Sequence, residues 1–418
     1  MTHVDVVVVG GGPAGLEAAT AAARSWTKTV LLDEQSSLGG RLRYRVSDVA
    51  DENNTVALPD SLRTELIAAA AAADVDLRSN TVAWGLFEGN VLGIAGDRLG
   101  SRLTADMIVL TTGSTDLALP FAGASLPGIF SGRAIQILLH VHRVRPGRRI
   151  AVIGDGSDAA EVASDAELAG CEVLRISPRC EVRAEGAGGV QTIVVDDRRH
   201  PIDVVAIAIG RQPDAALALM IGCALGHEAT LGGLVPLLDD RFQTDHPGIL
   251  VAGDAAGVCD VATARAEGRF AGISAAAALG LVSDEKLASA RLAYESACGE
   301  RIVARAGMKP LTLSGGEERG APRDVNHHAA QYLCRCEEVT QSEVLAAISA
   351  GASTMDDIKR RTRAGMGLCQ GIYCVPFIID LIQARIGVSY GHLAPMTARP
   401  PVRLLPLDAL ASAEASPG

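Results

Sequence analysis

Short, unbroken apolar runs that stop at glycine recur along the first two-thirds of the chain. Val6–Val9 runs into Gly10-Gly11-Gly12-Pro13-Ala14-Gly15 and then an alanine-rich stretch, Leu16–Ala23. Thr29–Leu32 ends in Asp33-Glu34, Ile108–Leu110 in Thr111-Thr112-Gly113, and Ile249–Val251 in Ala252-Gly253-Asp254. A second series starts at Arg149–Ile153, passes through Gly154-Asp155-Gly156-Ser157-Asp158-Ala159, and continues with Glu172–Ile176 and Ala206–Ile209. Apolar runs of this length bounded by turn residues predict buried strands alternating with helices, an α/β architecture. From about residue 290 the pattern turns polar, and the glycine-rich Ser314–Gly320 stretch reads as a linker. Three short helices should follow. Thr340-Gln341-Ser342-Glu343 is a capping box opening a helix that ends at Gly351. Ser353 and Thr354 with Asp356-Asp357 start a second through Arg361, and Val375–Ile386 is an apolar third.

The first series has strand, G-x-G-x-x-G and helix in the order a dinucleotide fold requires. Gly10 makes the tight turn, Gly12 lets the backbone approach a pyrophosphate, and Gly15 lets helix and strand pack closely. The amide end of the helix, from Pro13 and Ala14 onward, then faces the phosphates. Asp33 stands at the expected offset of about 20 residues for a carboxylate that accepts from the ribose, with Glu34 beside it. The second series repeats the grammar with Gly154, Gly156 and Ser157, but Asp155 and Asp158 put negative charge into the loop and oppose a pyrophosphate. Its next strand ends Ser177-Pro178-Arg179, without a ribose acid, so Arg175 or Arg179 is left to hold a 2′-phosphate. A pyridine nucleotide, another adenine nucleotide or a vacant relic of the fold all remain open there.

Composition narrows the partners. A chain of 418 residues, 48% hydrophobic and 21% charged, holds two or three domains with full cores. The net charge of −11 argues against nucleic acid. No apolar run approaches the roughly 20 residues that span a bilayer, and the N-terminus reads as a strand rather than a signal peptide. The expected address is the cytoplasm, with at most peripheral association on the inner membrane face through a complex.

Of nine cysteines, five are scattered singly, with no C-x-x-C, so an active dithiol of thioredoxin-reductase type is missing. The other four, Cys334, Cys336, Cys369 and Cys374, form C-x-C…C-x4-C, which fits the four thiolates of a [2Fe–2S] cluster. Structural zinc also takes four cysteines, although a C-x-C pair is less typical of it. Arg335, Lys359, Arg360, Arg361 and Arg363 are placed in sequence to offset the cluster's negative charge.

The paired glycine fingerprints, together with Thr112-Gly113 and Gly253-Asp254, resemble the two-dinucleotide-domain flavoproteins, the glutathione- and thioredoxin-reductase-like superfamily. That resemblance implies FAD at the first site, bound by Gly10, Gly12, Pro13, Ala14, Gly15, Asp33, Glu34, Gln35, Gly40, Val82, Thr112, Gly113 and Gly253. It implies that Asp254 holds the ribitol, with a plain helix N-cap as the alternative. It also implies that a helix starting within 264–268 aims amides near Ala266 at the flavin's pyrimidine end. Leu38-Gly39-Gly40-Arg41 resembles the superfamily's Gly-Gly-Gln turn; Arg41 in place of glutamine either pairs with phosphate or stays solvated. The segment around Cys334-Arg335-Cys336-Glu337 resembles the bacterioferritin-associated-ferredoxin type of [2Fe–2S] domain.

The order of these parts, closed by the Pro-rich Ala398–Arg403, resembles the FAD/[2Fe–2S] alpha-type subunits of heteromeric dye-linked amino-acid dehydrogenases. That group includes the opine oxidase A-type chain, the hydrogen cyanide synthase B-type chain, and the alpha subunits of proline and D-hydroxyproline dehydrogenases. The resemblance implies an FAD domain at 1–116 and 236–290 and an inserted nucleotide domain at 117–235. A linker at 291–325, a cluster domain at 326–390 and a tail at 391–418 complete it. It implies a hetero-oligomer whose partner, a D-amino-acid-oxidase-like FAD subunit, oxidises the C–N bond, while this chain relays electrons to a quinone or dye. An FMN at a subunit interface and a small ferredoxin-like subunit occur in such complexes. No catalytic acid or base forms a recognisable constellation in this sequence. A free-standing NAD(P)H-dependent reductase and a flavin-free scaffold are the competing expectations.

Overall fold

The computed structural model describes residues 2–46, 49–50, 56–96, 99–306, 308, 310–311, 331–387 and 395–415. Most of the predicted linker, the first residues of the predicted cluster domain and part of the tail lie outside them. The chain divides into two units: residues 1–114, 212–310 and 398–418 form one, and 115–211 and 311–397 the other.

The first unit is built on a seven-stranded sheet. Thr2–Val9 runs parallel to Thr29–Leu32 on one side and to Leu99–Leu110 on the other. Asp76–Arg78 extends the sheet beyond Thr29–Leu32, and Ile249–Val251 pairs parallel with Ile108–Leu110. Valines and leucines bury both faces of the central strands, as their unbroken apolar runs require. Helices Pro13–Ala23 and Val261–Ala278 pack together through small residues. A methyl group on Gly268 would stand 2.0 Å from the Ala14 carbonyl oxygen, and one on Gly272 would stand 2.2 Å from that of Ala18.

Three sequence boundaries move. Helices Asp284–Ala297 and Gly299–Ala306 occupy the start of the predicted linker, with Leu287, Tyr294 and Cys298 buried in the core of the first unit. Residues 212–235, expected in the inserted domain, group with the first unit, where Leu217, Ala218 and Cys223 share a core with Val7 and Ile249. The tail returns to this unit: Ala409 and Ala413 of helix Leu407–Ala415 bury against Trp84 and Ala95. In each case the segment's apolar residues are buried against a surface that only the folded chain brings to it, which local pattern does not show.

The second unit holds a parallel sheet of Ile129–Ser131, Val204–Ile207, Arg149–Ile153 and Glu172–Ile176, together with a three-stranded antiparallel sheet. Its other part contains helices Gln341–Ser349, Met355–Thr362 and Val375–Ile386 around their own core. The capping box at Thr340 and Glu343 is complete, and Thr340 accepts from the Glu343 N–H at 3.3 Å. Among the described residues no helix is long and apolar enough to cross a membrane.

Candidate functional site

The glycine turn after Thr2–Val9 is shaped by close approach. Gly10 has φ 109°, and a methyl there would lie 2.2 Å from the Thr111 carbonyl oxygen. One on Gly15 would lie 1.8 Å from the Gly10 oxygen. Gly12 is different: the nearest atom to its missing methyl is the Gly40 Cα at 3.8 Å, so the space above it is open. Gly12 caps helix Pro13–Ala23 without a side-chain hydrogen bond, which leaves the first-turn amides facing that space. This uncapped, unfilled cradle fits a pyrophosphate. Gly39 donates to the Gly11 oxygen at 2.7 Å, which brings Gly40 against Gly12. Arg41 follows on the short turn Gly40–Arg43, with Nε and Nη1 shielded from solvent, so its fully solvated alternative is excluded.

The Asp33 carboxylate accepts from the Gly11 N–H at 2.6 Å and from the Gln35 N–H at 2.7 Å. Burial nevertheless pushes its pKa up. Thr81 and Asn80 donate to the Asp33 and Gln35 carbonyls at 2.8 and 2.9 Å, which lays Val82 beside them. Glu34 stands half-exposed next to this group. Asp254 accepts from Ser114 Oγ at 2.6 Å and from the Cys259 N–H at 2.9 Å. The preceding Gly253 N–H donates at 2.9 Å to Glu267, a fully buried carboxylate also gripped by Arg301 and Arg305. Helix Val261–Ala278 starts earlier than expected, because Asp260 caps it by accepting from the Thr263 N–H at 2.7 Å. Ala266 therefore lies beyond the first turn and is buried in the core, and the terminal amides are those of Val261–Thr263. Sequence reading missed Ser114, Glu267, Arg301 and Arg305. A lone acid in an alanine-rich helix was the available signal for Glu267.

At the second glycine loop a methyl on Gly154 would lie 2.2 Å from the Ala208 oxygen, whereas Gly156 has open space and caps helix Ser157–Leu168 without a side-chain bond. The acidic residues are already engaged: Arg211 donates to Asp158 at 3.0 Å, and Ser177 Oγ to Asp155 at 2.8 Å. Asp158 is thus offset by a cation rather than left to repel a phosphate. Arg175 pairs with Glu167 at 3.3 Å in a half-exposed contact.

The four remaining cysteines converge. The Cys334 and Cys374 thiols hydrogen-bond each other, as do those of Cys336 and Cys369, while Cys369 also acts electrostatically on Cys374. The Cys374 contact, helped by backbone N–H groups of Gly365, Glu337 and Cys336, pulls the Cys334 thiol down to about 5. The Cys334 contact and burial push Cys374 up. N–H groups of Tyr373 and Gly371 point at Cys369. Gly367 presses on Cys336, where a methyl would stand 2.1 Å from its Cβ. Four converging thiols, with amide donors aimed at Cys334 and Cys369, fit an iron–sulfur cluster, whose sulfurs accept such bonds. The basic residues expected to offset it are mostly spent elsewhere. Arg363 pairs with Glu337, Arg360 with Asp357, and Arg361 donates to the Ala350 oxygen. Arg335 lies 4.5 Å above the Tyr373 ring and donates to the Ala124 carbonyl.

Comparison with known proteins agrees with this division of chemistry. Residues 4–182 match the pyridine nucleotide-disulphide oxidoreductase family, and residues 332–384 match the BFD-like [2Fe-2S] binding domain. The opine oxidase A-type chain of Agrobacterium tumefaciens (strain Ach5) is 26% identical across 97% of this chain and 91% of its own. Hydrogen cyanide synthase subunit HcnB of Pseudomonas protegens is 23% identical across 91% of this chain and 92% of its own. The crystal structure of L-proline dehydrogenase from P. horikoshii matches with a TM-score of 0.82 and 26% identity, covering 98% of this chain and 79% of that one. The chain is similar throughout to FAD/[2Fe–2S] alpha-type subunits. It is an FAD-dependent oxidoreductase chain, similar to subunits of multi-subunit amino-acid oxidases and dehydrogenases, and that similarity implies partner subunits. Thioredoxin reductase of T. acidophilum shares the fold alone, with a TM-score of 0.54 at 22% identity.

Proposed function

We propose that this chain is the electron-relay subunit of an amino- or imino-acid dehydrogenase complex acting on proline, hydroxyproline, opine or glycine-type substrates. FAD accepts two electrons together and an iron–sulfur cluster accepts one at a time, so a chain holding both links a two-electron oxidation to a one-electron acceptor such as a quinone or dye. The observation that carries the reading is the convergence of four thiols, two of them facing amide donors, in a chain that also builds an open pyrophosphate cradle. Gly10, Gly12, Pro13, Ala14 and Gly15 cradle the phosphates; Asp33, Glu34, Gln35 and Val82 surround the adenosine. Gly40, Arg41, Thr112, Gly113, Gly253 and Asp254 line the path to the flavin, and Cys334, Cys336, Cys369 and Cys374 ligate the cluster. The flavin domain, on this reading, takes in residues 1–114, 212–306 and the returning tail. The inserted domain spans 115–211, and the cluster domain centres on 331–387.

The partner would be a D-amino-acid-oxidase-like FAD subunit, with an interfacial FMN and a small ferredoxin-like subunit as further components. The complex would be cytoplasmic or peripheral to the inner membrane face. Co-purification with the products of neighbouring genes, followed by a dye-reduction screen across amino and imino acids, tests the proposal. Turnover only in the presence of the partner supports it, and turnover by the isolated chain refutes it. A second reading, NAD(P)H-dependent reduction, draws on the open space at Gly156 beside an uncapped helix. Rapid bleaching of the bound flavin by NADH or NADPH would favour it, and bleaching only by amino acid with partner would not.

A further inference from the structure

Glu34 and Asp214 belong to loops on opposite sides of the central strand Thr2–Val9. Glu34 follows Thr29–Leu32, which flanks that strand on one side. Asp214 is tied to the end of Leu99–Leu110, which flanks it on the other. Its N–H donates to the Gly113 oxygen at 2.9 Å, and its own carbonyl accepts from Thr112 Oγ1 at 2.6 Å. One guanidinium spans both loops. Arg403 Nε lies 3.3 Å from Glu34 Oε2, while its Nη2 holds the Asp214 carboxylate. Arg403 comes from the returning tail, which is anchored by the Val402 N–H on the Trp84 oxygen at 2.9 Å and by Ser412 Oγ accepting from the Gly100 N–H at 2.8 Å.

Ligands of such sheets lie in the crevice outside the carboxyl ends of the strands, where the Gly10–Gly15 cradle opens. Arg403 therefore bridges the rims of that crevice. Both oxygens of Asp33 already accept backbone N–H groups, whereas Glu34 is 47% exposed and has its direction set by the guanidinium. Two carboxylates without that cation would raise the negative potential where a diphosphate must enter.

We infer that Arg403 is a positioning residue for the dinucleotide: by bridging Glu34 and Asp214, the C-terminal tail straps the adenosine end of the FAD cradle. This rests on the FAD reading above and extends the site to a segment that sequence assigns to a tail. Because Arg403 acts through Glu34, its contribution and that of Glu34 are one interaction, and FAD binding and tail docking reinforce each other.

The test uses the full chain, deflavinated and titrated with FAD. Arg403→Gln and Glu34→Gln should each weaken FAD binding by about tenfold, and the double variant by no more than the weaker single. In the wild type, FAD should slow trypsin cleavage after Arg403, mapped by mass spectrometry; in Glu34→Gln that protection should vanish. A role confined to stapling the tail would leave cleavage indifferent to FAD. Unchanged affinity in Glu34→Gln, an exposed-site variant that should fold normally, overturns the inference, as does multiplication of the two losses. A wild-type chain that neither carries nor rebinds FAD would instead refute the underlying FAD reading.

Discussion

At Gly367 a side chain has nowhere to go, because the Cβ of Cys336 stands where a methyl would sit, 2.1 Å away. Gly367→Ala must push the Cys336 loop outward, so we expect loss of most of the bound iron, measured per chain after anaerobic purification. Gly12 gives the opposite case. Its backbone φ of −77° suits any residue, and the nearest atom to an added methyl is 3.8 Å away. Gly12→Ala should therefore fold with an unchanged melting temperature while losing FAD, since its methyl occupies the pyrophosphate's space. Binding titration and calorimetry on one preparation separate the two effects. Gly15, filled by the Gly10 oxygen, would lose stability as well.

At the scale of elements, two helices and a loop meet at Glu267. The carboxylate is fully buried and reaches Arg301 Nε at 2.5 Å and Arg305 Nη2 at 2.9 Å, and Arg301 further donates to the Val258 and Gly257 carbonyls. Helix Gly299–Ala306 is thereby bolted to the Gly253–Gly257 loop and to helix Val261–Ala278. Removing one partner of a buried pair strands the other, so Arg301→Ala should cost about 3 kcal/mol or more in urea unfolding. At the start of strand Arg149–Ile153, the Arg149 guanidinium and the Arg148 and Arg149 N–H groups hold the Asp203 carboxyl below the ordinary 3.8. A depressed folded value adds stability that is complete above the unfolded pKa and fades as pH falls through the folded one. Asp203→Asn should therefore show a deficit of about 1 kcal/mol, modest because the pair is part-exposed. The deficit should be constant above roughly pH 5 and vanish on further acidification, followed by denaturation midpoints across that range.

Taken whole, the molecule keeps its candidate flavin residues and its cluster residues in separate units. The two cofactors should therefore be separable by mutation. Cys374→Ser is expected to purify with its full complement of FAD and without the EPR signal of a reduced [2Fe–2S] cluster. Joint loss of both cofactors would show that the units depend on one another to fold.

Much of this was legible in the chain itself. The buried strands, the glycine turns, the capping box at Thr340 and the spacing of the four clustered cysteines follow from local rules, since period, turn chemistry and donor type act over a few residues. Other features depended on contacts between distant positions. The first turn of helix Val261–Ala278 is decided by the Asp260 cap, which displaces Ala266 from the amide end. Arg175 is diverted to Glu167, and Asp158 is offset by Arg211 from the far side of the domain. Helix Gly299–Ala306 and the tail carrying Arg403 looked like linker and appendage because each is short and the surface it packs on lies far away along the chain. What sequence determined is the set of elements and chemical groups available. Tertiary structure alone decided which charges are spent on one another and which face the cradle, because a Coulomb partner is chosen by distance in space, not along the chain.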